Sequence, residues 1–350
     1  MSMSRLAIFA FGTLEGYWFY RSGLLMPDAI SKQMKFESFI VLKLFLAAVG
    51  SSMVAQSIWT LFNPSAFDKT RKYSVTSPGY ARAVIGCGIL GVGMAMAGSG
   101  PTLLPGQLVS LATGYYTVLG AFLGGLAYAL IEPRCFSTNL ACRPSDVAID
   151  AKLHLKYATL AAPFGLALVA GALTLEQLFP HSQDAVGAVV HAANLAGPLP
   201  AWLFNPIVAG TVVGLNQIPL RAIAGVGQGG STSVMTLLSA ATGLSARLGF
   251  DGTLHRSAQV IYVWGGTTVG ALAAAYTSPL GVSHLYAGVT KSALLAVAGG
   301  ALMIFGGRVA NGCTCGHGIS GVSELSLASM AAAAAIFGGG IAYAMGLALN

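Results

Sequence analysis

The stretch Gly306–Gly321, GGRVANGCTCGHGISG, gathers two cysteines, a histidine, an arginine and six glycines. Thiols, an imidazole and uncovered backbone N–H groups suit the holding of an anion. Cys313 can donate a weak S–H hydrogen bond to a soft anion. Gly312, Gly316 and Gly318 leave neighbouring N–H groups bare, and helix N-termini add positive partial charge. The plain alternative for Cys313 is a buried cysteine acting as a small hydrophobe. Cys315 completes a C-x-C pair, as a second thiol on a path, as helix packing, or within a strained disulfide. A metal usually wants C-x-x-C with further ligands, and none is expected. His317 has two readings, a donor to an anion or a histidine satisfying backbone carbonyls in a tight turn. Arg308 reads as snorkelling to an interface.

The segments around this loop are apolar. ALLAVAGGALMIF leads in, and ASMAAAAAIFGGGIAYAMGLAL follows a short Ser-rich spacer. Irregular backbone at membrane depth persists only where protein buries it or where it lines a wet cavity. Only 8% of the 350 residues are charged and 55% are hydrophobic, against about 25% charged in a soluble domain. The apolar runs are too long and continuous for the alternation of a barrel. The expectation is an all-α integral membrane protein, a polytopic helical bundle, with residues 1–350 forming a single membrane domain. The net charge of +7 lies mostly in short connections, as positive charge held on the cytoplasmic side would. No basic patch interleaved with aromatics points to nucleic acid. The first residues lack an h-region and cleavage site, so no removable signal peptide is expected. Cys87, Cys135 and Cys142 are too scattered for a disulfide framework. Cys87 reads as packing, and Cys135 and Cys142 as free thiols in a polar loop.

Along the chain, residues 5–20 read as a half-length or re-entrant helix, interrupted by Gly12, Glu15 and Gly16. Residues 38–62 form a transmembrane candidate whose Lys43 can snorkel. Residues 63–82 read as a cytoplasmic loop, and 83–97 as a glycine-ribbed helix that lets other backbones come close. AGSGPTLLPGQL, residues 97–108, carries two prolines and forbids a regular helix. Further helices are expected at 116–131, 157–175, 185–196, 201–215, 259–277, 290–305 and 326–348. Gly225, Gly227 and Gly230 match GxGxxG, but no strand precedes them, so a dinucleotide site is not expected. Gln107, Asn216, Gln217 and Gln228 lie in or beside breaks and suit a polar path lining. GVGMAMAGSGP (91–101) is similar to FGGRVANGCTC (305–315), which suggests repeat halves of about 1–156 and 157–350. Paired interrupted hydrophobic segments in corresponding halves are the sequence pointer to a transporter site at the bilayer midplane.

GGRVANGCTCGHGISGVSELSLASM resembles the signature of the YeeE/YedE family of membrane proteins, with its G-x-R-x-A-x-G-C-T-x-G-H-G-I-S-G pattern. FAFGTLEGYWFYRSGLLMPDAI resembles the opening segment of that family, and GVGMAMAGSGP its G-x-G-M-A-x-A-G-x-C-P motif. The resemblance implies uptake of sulfur-containing ions, thiosulfate above all. It also implies an hourglass-shaped protein in which short re-entrant helices bring loops to a central constriction. There, cysteines would pass the ion along by transient hydrogen bonds to its sulfur. A soluble sulfur-carrier protein in the cytoplasm is an implied partner. The chain departs from the first-half motif at Gly100, where the family has cysteine, with Ser99 before it.

The expected function is therefore a transporter or facilitator for a small sulfur anion, thiosulfate first, in the bilayer of the cell membrane. Gly312, Cys313, Cys315 and His317 in the second half, with Gly98, Ser99, Gly100 and Pro101 in the first, are the expected substrate-binding residues. No cofactor and no catalysis are required. The rival reading is a membrane thiol redox or persulfide-handling enzyme using Cys313 and Cys315.

Overall fold

The computed structural model describes residues 2–74, 79–109, 112–135, 148–184, 186–225, 227–243, 254–278 and 292–348. The first half contains α1 (Met3–Arg21), α2 (Pro27–Met34), α3 (Ile40–Phe62), α4 (Pro64–Ser74), α5 (Tyr80–Ala97), α6 (Leu104–Gln107) and α7 (Ala112–Cys135). Then come α8 (Ile149–Lys152), α9 (Tyr157–Leu178), α10 (Gly187–Leu195), α11 (Pro206–Leu215), α12 (Gln217–Ala224) and α13 (Gly230–Thr242). The chain closes with α14 (Leu254–Val260), α15 (Thr267–Tyr276), α16 (Ala293–Val309) and α17 (Leu327–Ala348). Two π-helical turns interrupt this last part, Ile261–Gly266 and Thr314–Gly321.

Among the described residues, seven helices are long and apolar enough to cross a membrane, and an eighth span arises if α16 is counted with the turn after it, bent by 48°. An unpaired backbone group costs several kcal/mol in hydrocarbon, so the apolar runs close their hydrogen bonds within each segment as helices. The chain is an all-α polytopic integral membrane protein.

Glycine ribs decide which helices meet. Facing glycines let α5 and α16 run antiparallel at close range, with Gly86 against Gly306 and Ala310 and Gly93 against Gly299 and Met303. α7 lies along α16, Gly120 over Val297 and Gly124 over Ala301, while α17 packs on α5. In the other group α3 is held between α9 and α11 by Gly50, Gly165, Gly210 and Gly214. There α1 lies along the Ile261–Gly266 turn and α15. A Cβ on Gly93 would stand 2.6 Å from the Gly299 carbonyl oxygen. Gly93→Val is therefore expected to lower thermal stability in detergent, at about the 1–3 kcal/mol scale of an overpacked core.

Several expectations change. α1 is unbroken, its interrupting glycines seating the backbones of Tyr262 and Thr267, and it is not among the seven helices long and apolar enough to cross a membrane. The basic stretch 63–82 contains α4. The helix expected at 201–215 divides into a 3-10 turn, Ala201–Phe204, and α11, which starts at Pro206 under an Asn205 cap. Lys43 does not snorkel: it is fully buried, ion-paired to Glu176 at 2.7 Å and bonded to the Phe179 carbonyl. Arg308 likewise stays inside, over the Tyr128 ring and 3.5 Å from the Thr232 hydroxyl. The side chains of Arg134, Cys135, Cys142 and Arg143 lie outside the described residues.

Candidate functional site

Four interruptions in the helices pack together. The first, Ser22–Met26, separates α1 from α2. The second, Gly98–Leu103, follows α5, and left-handed Gly98 (φ 64°) closes that helix by donating to the Met94 carbonyl. The third, Gly225 and residues 227–229, opens with left-handed Gly225 (φ 70°) at the end of α12. The fourth, Ala310–Cys313, carries Asn311 at φ 55°, a residue type that tolerates this conformation.

Contacts between the interruptions are direct. Gln107 Nε2 donates to the carbonyls of Leu25 and Gly98, at 3.0 Å each, tying the first to the second. A Cβ on Gly98 would lie 2.6 Å from Pro27, and one on Gly230 would lie 2.7 Å from the Thr102 backbone nitrogen. The Thr102 hydroxyl and Cys315 thiol are 2.7 Å apart, joining the second to the π-helical turn that follows the fourth. Ser231, in the first turn of α13 just after the third, approaches the fourth at Cys313, whose sulfur lies within electrostatic reach of the backbone N–H groups of Ser231, Cys315 and Gly316 and of the Cys315 thiol.

Cys313 is 1% exposed and Cys315 7%, and both are free thiols, as is Cys87 on α5. Cys87 lies within electrostatic range of Cys313. Cys313 stands in extended conformation at the start of the π-helical turn Thr314–Gly321, which keeps the N–H groups of Cys315 and Gly316 near its sulfur without closing a side-chain cap. Such turns are rare and concentrate at functional sites.

The other expected residues divide. His317 has both ring nitrogens occupied, Nε2 with the Ala310 carbonyl at 2.9 Å and Nδ1 with the Ser329 hydroxyl at 3.1 Å. It ties the turn to α17. Gly312 must lack a side chain, since a Cβ there would stand 2.5 Å from the His317 ring. Pro101 borders Gly230, but the hydroxyl of Ser99, fully buried, reaches the Gly100 carbonyl at a long 3.4 Å. Gly100 itself is roomy: a Cβ there meets Leu103 and the Met94 methyl at an ordinary 3.7 Å. The Met94 sulfur lies 3.8 Å from the Thr314 hydroxyl, so a thioether sits beside the position where the motif has cysteine.

Sequence reasoning missed Thr102, Ser231, Glu15 and Tyr262. Gln228 donates to one carboxyl oxygen of fully buried Glu15 and Tyr262 to the other. Gln217 donates to Gln228 at 3.3 Å and accepts from Ser320 at 2.8 Å. An ionisable residue inside an apolar helix was the signal for Glu15. Thr102 and Ser231 carried none. Beyond Ser320, fully buried Arg221 on α12 pairs with fully buried Glu324. Arg71 grips Asp150 through two nitrogens and donates to the Glu324 carbonyl at 2.8 Å.

Fold and site together define a multi-pass membrane protein whose helix breaks meet around the buried thiols Cys313 and Cys315. The family model described as sulphur transport covers residues 21–342, and the chain belongs to that family, the YeeE/YedE sulfur-compound transporters. No curated protein matches it.

Proposed function

We propose that this protein carries thiosulfate across the cell membrane into the cytoplasm, with Cys313 receiving the ion at the narrowest point. The observation that carries this reading is the Cys313 sulfur itself, surrounded by the N–H groups of Ser231, Cys315 and Gly316. Donors converging on a sulfur suit a soft anion that presents sulfur in its turn. As the ion arrives, these N–H groups and the Cys313 S–H turn to it. Charge-assisted hydrogen bonds of this kind are roughly twice as strong as neutral ones, and giving them up one by one lets the ion leave. Thr102 and Cys315 form the next station, and the amides of Gln107, Gln217 and Gln228 supply polar lining. Ser99 and the backbone from Gly98 to Pro101 flank the path on the first-half side, and His317 keeps the second-half turn in shape. The halves 1–156 and 157–350 act as two repeats around this point. No chemical step is needed, and a cytoplasmic sulfur-carrier protein takes the product.

Uptake of labelled thiosulfate by proteoliposomes, without any electron donor, tests the reading. Uptake of sulfite or sulfide in place of thiosulfate would reassign the substrate. The contact between the Cys313 and Cys315 thiols is what the rival redox reading would use. That reading requires both thiols and a partner to reoxidise them. Cys315→Ala separates the two, since transport through Cys313 persists at a reduced rate whereas a dithiol cycle stops.

The room at Gly100 supports a further expectation. Gly100→Cys adds a thiol on the first-half side of the path, and one added hydrogen bond contributes about 0.5–1.5 kcal/mol. Thiosulfate affinity in the uptake assay is expected to rise several-fold, with that for sulfite rising less.

A further inference from the structure

Glu15 has no part in the anion path described above, yet its carboxyl is fully buried beside that path. Cys315 lies within electrostatic range of it. Both carboxyl oxygens are engaged, one by Gln228 Nε2 from the third break and the other by the Tyr262 hydroxyl. Tyr262 sits in the π-helical turn Ile261–Gly266, which places its ring where a regular helix would not. The elements packed on α1 bring few other charges. α12 brings Arg221, committed to Glu324, and Gln217. α6, α11 and α15 present no ionisable side chain except the exposed Tyr276. On α1 itself, Arg21 is bound to Asn194 and to the Thr277 carbonyl. Among the described residues Glu15 has no cationic partner.

A carboxylate held this way is compatible with an empty site and opposed to an occupied one. Two like charges at close range in a weakly screened interior repel by several kcal/mol, and an unpaired buried carboxylate sheds its charge by taking up a proton. We propose that Glu15 is the proton-binding site of a coupled carrier: an anion reaches Cys313 and Cys315 when Glu15 is protonated, and the proton leaves Glu15 as the anion leaves. The inference rests on the reading of the chain as a sulfur-anion transporter and supplies its driving ion. The step is one reversible protonation, Glu15 carboxylate plus H+ giving the acid, with no bond to the anion and no redox change. Hydrogen-bonded side chains run from Gln228 through Gln217 to Ser320, and a separate group, Arg221 with Glu324, leads to the partly exposed Arg71.

The test uses the full-length protein in proteoliposomes with the membrane potential clamped by potassium and valinomycin, labelled thiosulfate outside and a pH-sensitive dye inside. With one proton per anion, an inward gradient of one pH unit supports about tenfold accumulation of thiosulfate, since tenfold corresponds to about 1.4 kcal/mol. The lumen should acidify in step. Glu15→Gln keeps the size and hydrogen-bonding capacity and is expected to equilibrate thiosulfate without accumulation and without thiosulfate-dependent acidification. Tyr262→Phe, the milder variant, removes a donor that steadies the ionised carboxyl. It is expected to retain coupling with its uptake profile moved to more alkaline external pH. Thiosulfate uptake by the wild type that ignores the pH gradient overturns the proton site and leaves transport standing. So does full gradient-driven accumulation by Glu15→Gln. Absence of uptake of thiosulfate and sulfite under every gradient overturns both readings together.

Discussion

Cys313→Ala is expected to cut labelled-thiosulfate uptake in proteoliposomes by roughly ten- to hundredfold while the purified protein keeps its elution profile and thermal midpoint. The substitution removes one donor and replaces a sulfur with a methyl group. Little packing is lost, because cysteine is already among the smallest of buried residues. What disappears is the one side-chain donor among the backbone N–H groups of Ser231, Cys315 and Gly316. A hydrogen bond to a charged partner contributes about 1.5–3 kcal/mol, which corresponds to a roughly ten- to hundredfold fall in transport. Cys313→Ser, with a harder donor in the same place, should fall between the wild type and alanine for thiosulfate and lose less for sulfite. Uptake unchanged in Cys313→Ala, at equal protein density in sealed vesicles, would remove Cys313 from the centre of the mechanism.

The second large effect is on stability. Arg221 and Glu324 are both fully buried and paired with each other. Removing one partner from such a pair leaves an uncompensated charge and costs about 3–5 kcal/mol. Arg221→Met and Glu324→Leu, made singly, should therefore lower the unfolding midpoint in detergent sharply. The release of the buried thiols Cys87, Cys313 and Cys315 to an alkylating reagent is a direct readout of that unfolding. The double variant should recover much of the loss. Arg221 Nε and Nη2 and Glu324 Oε2 have no hydrogen-bond partner among the described residues, so the pair is incompletely satisfied and its net contribution is small. A double variant no more stable than either single one would show that the pair is worth more than its charges, as the anchor of the turn between Thr314–Gly321 and α17. Tyr157 supports that turn by donating to the Ser323 carbonyl at 2.6 Å.

The motif around Cys313 stood out in the sequence because Gly-rich backbone, thiols and histidine are costly neighbours inside apolar sequence. The role of His317 was not readable, since one residue type serves both an anion and a tight turn. Only the positions of the Ala310 carbonyl and the Ser329 hydroxyl decide between them. Ser99 illustrates the same limit. Its sequence position predicted a donor on the path, but the turn after Gly98 points its hydroxyl at the adjacent carbonyl of Gly100.

Composition and long apolar runs by themselves determined that this chain is a helical membrane protein, because hydrocarbon tolerates no unpaired backbone. Local chemistry also determined that the helix expected at 83–97 stops there, where Gly98 takes a left-handed conformation other residues resist. The motifs determined the family. Tertiary structure alone decided what meets at the breaks. Ser231 and Cys313 lie on different helices far apart in the chain, and Glu15 finds Gln228 and Tyr262 across more than two hundred residues. Lys43 looked like a snorkelling residue and became a buried one because Glu176, at the far end of α9, was brought to it. Periodicity reports which face of a helix is apolar. It carries no information on which distant side chain will complete a hydrogen bond, because that partner is chosen by how the glycine-ribbed helices pack.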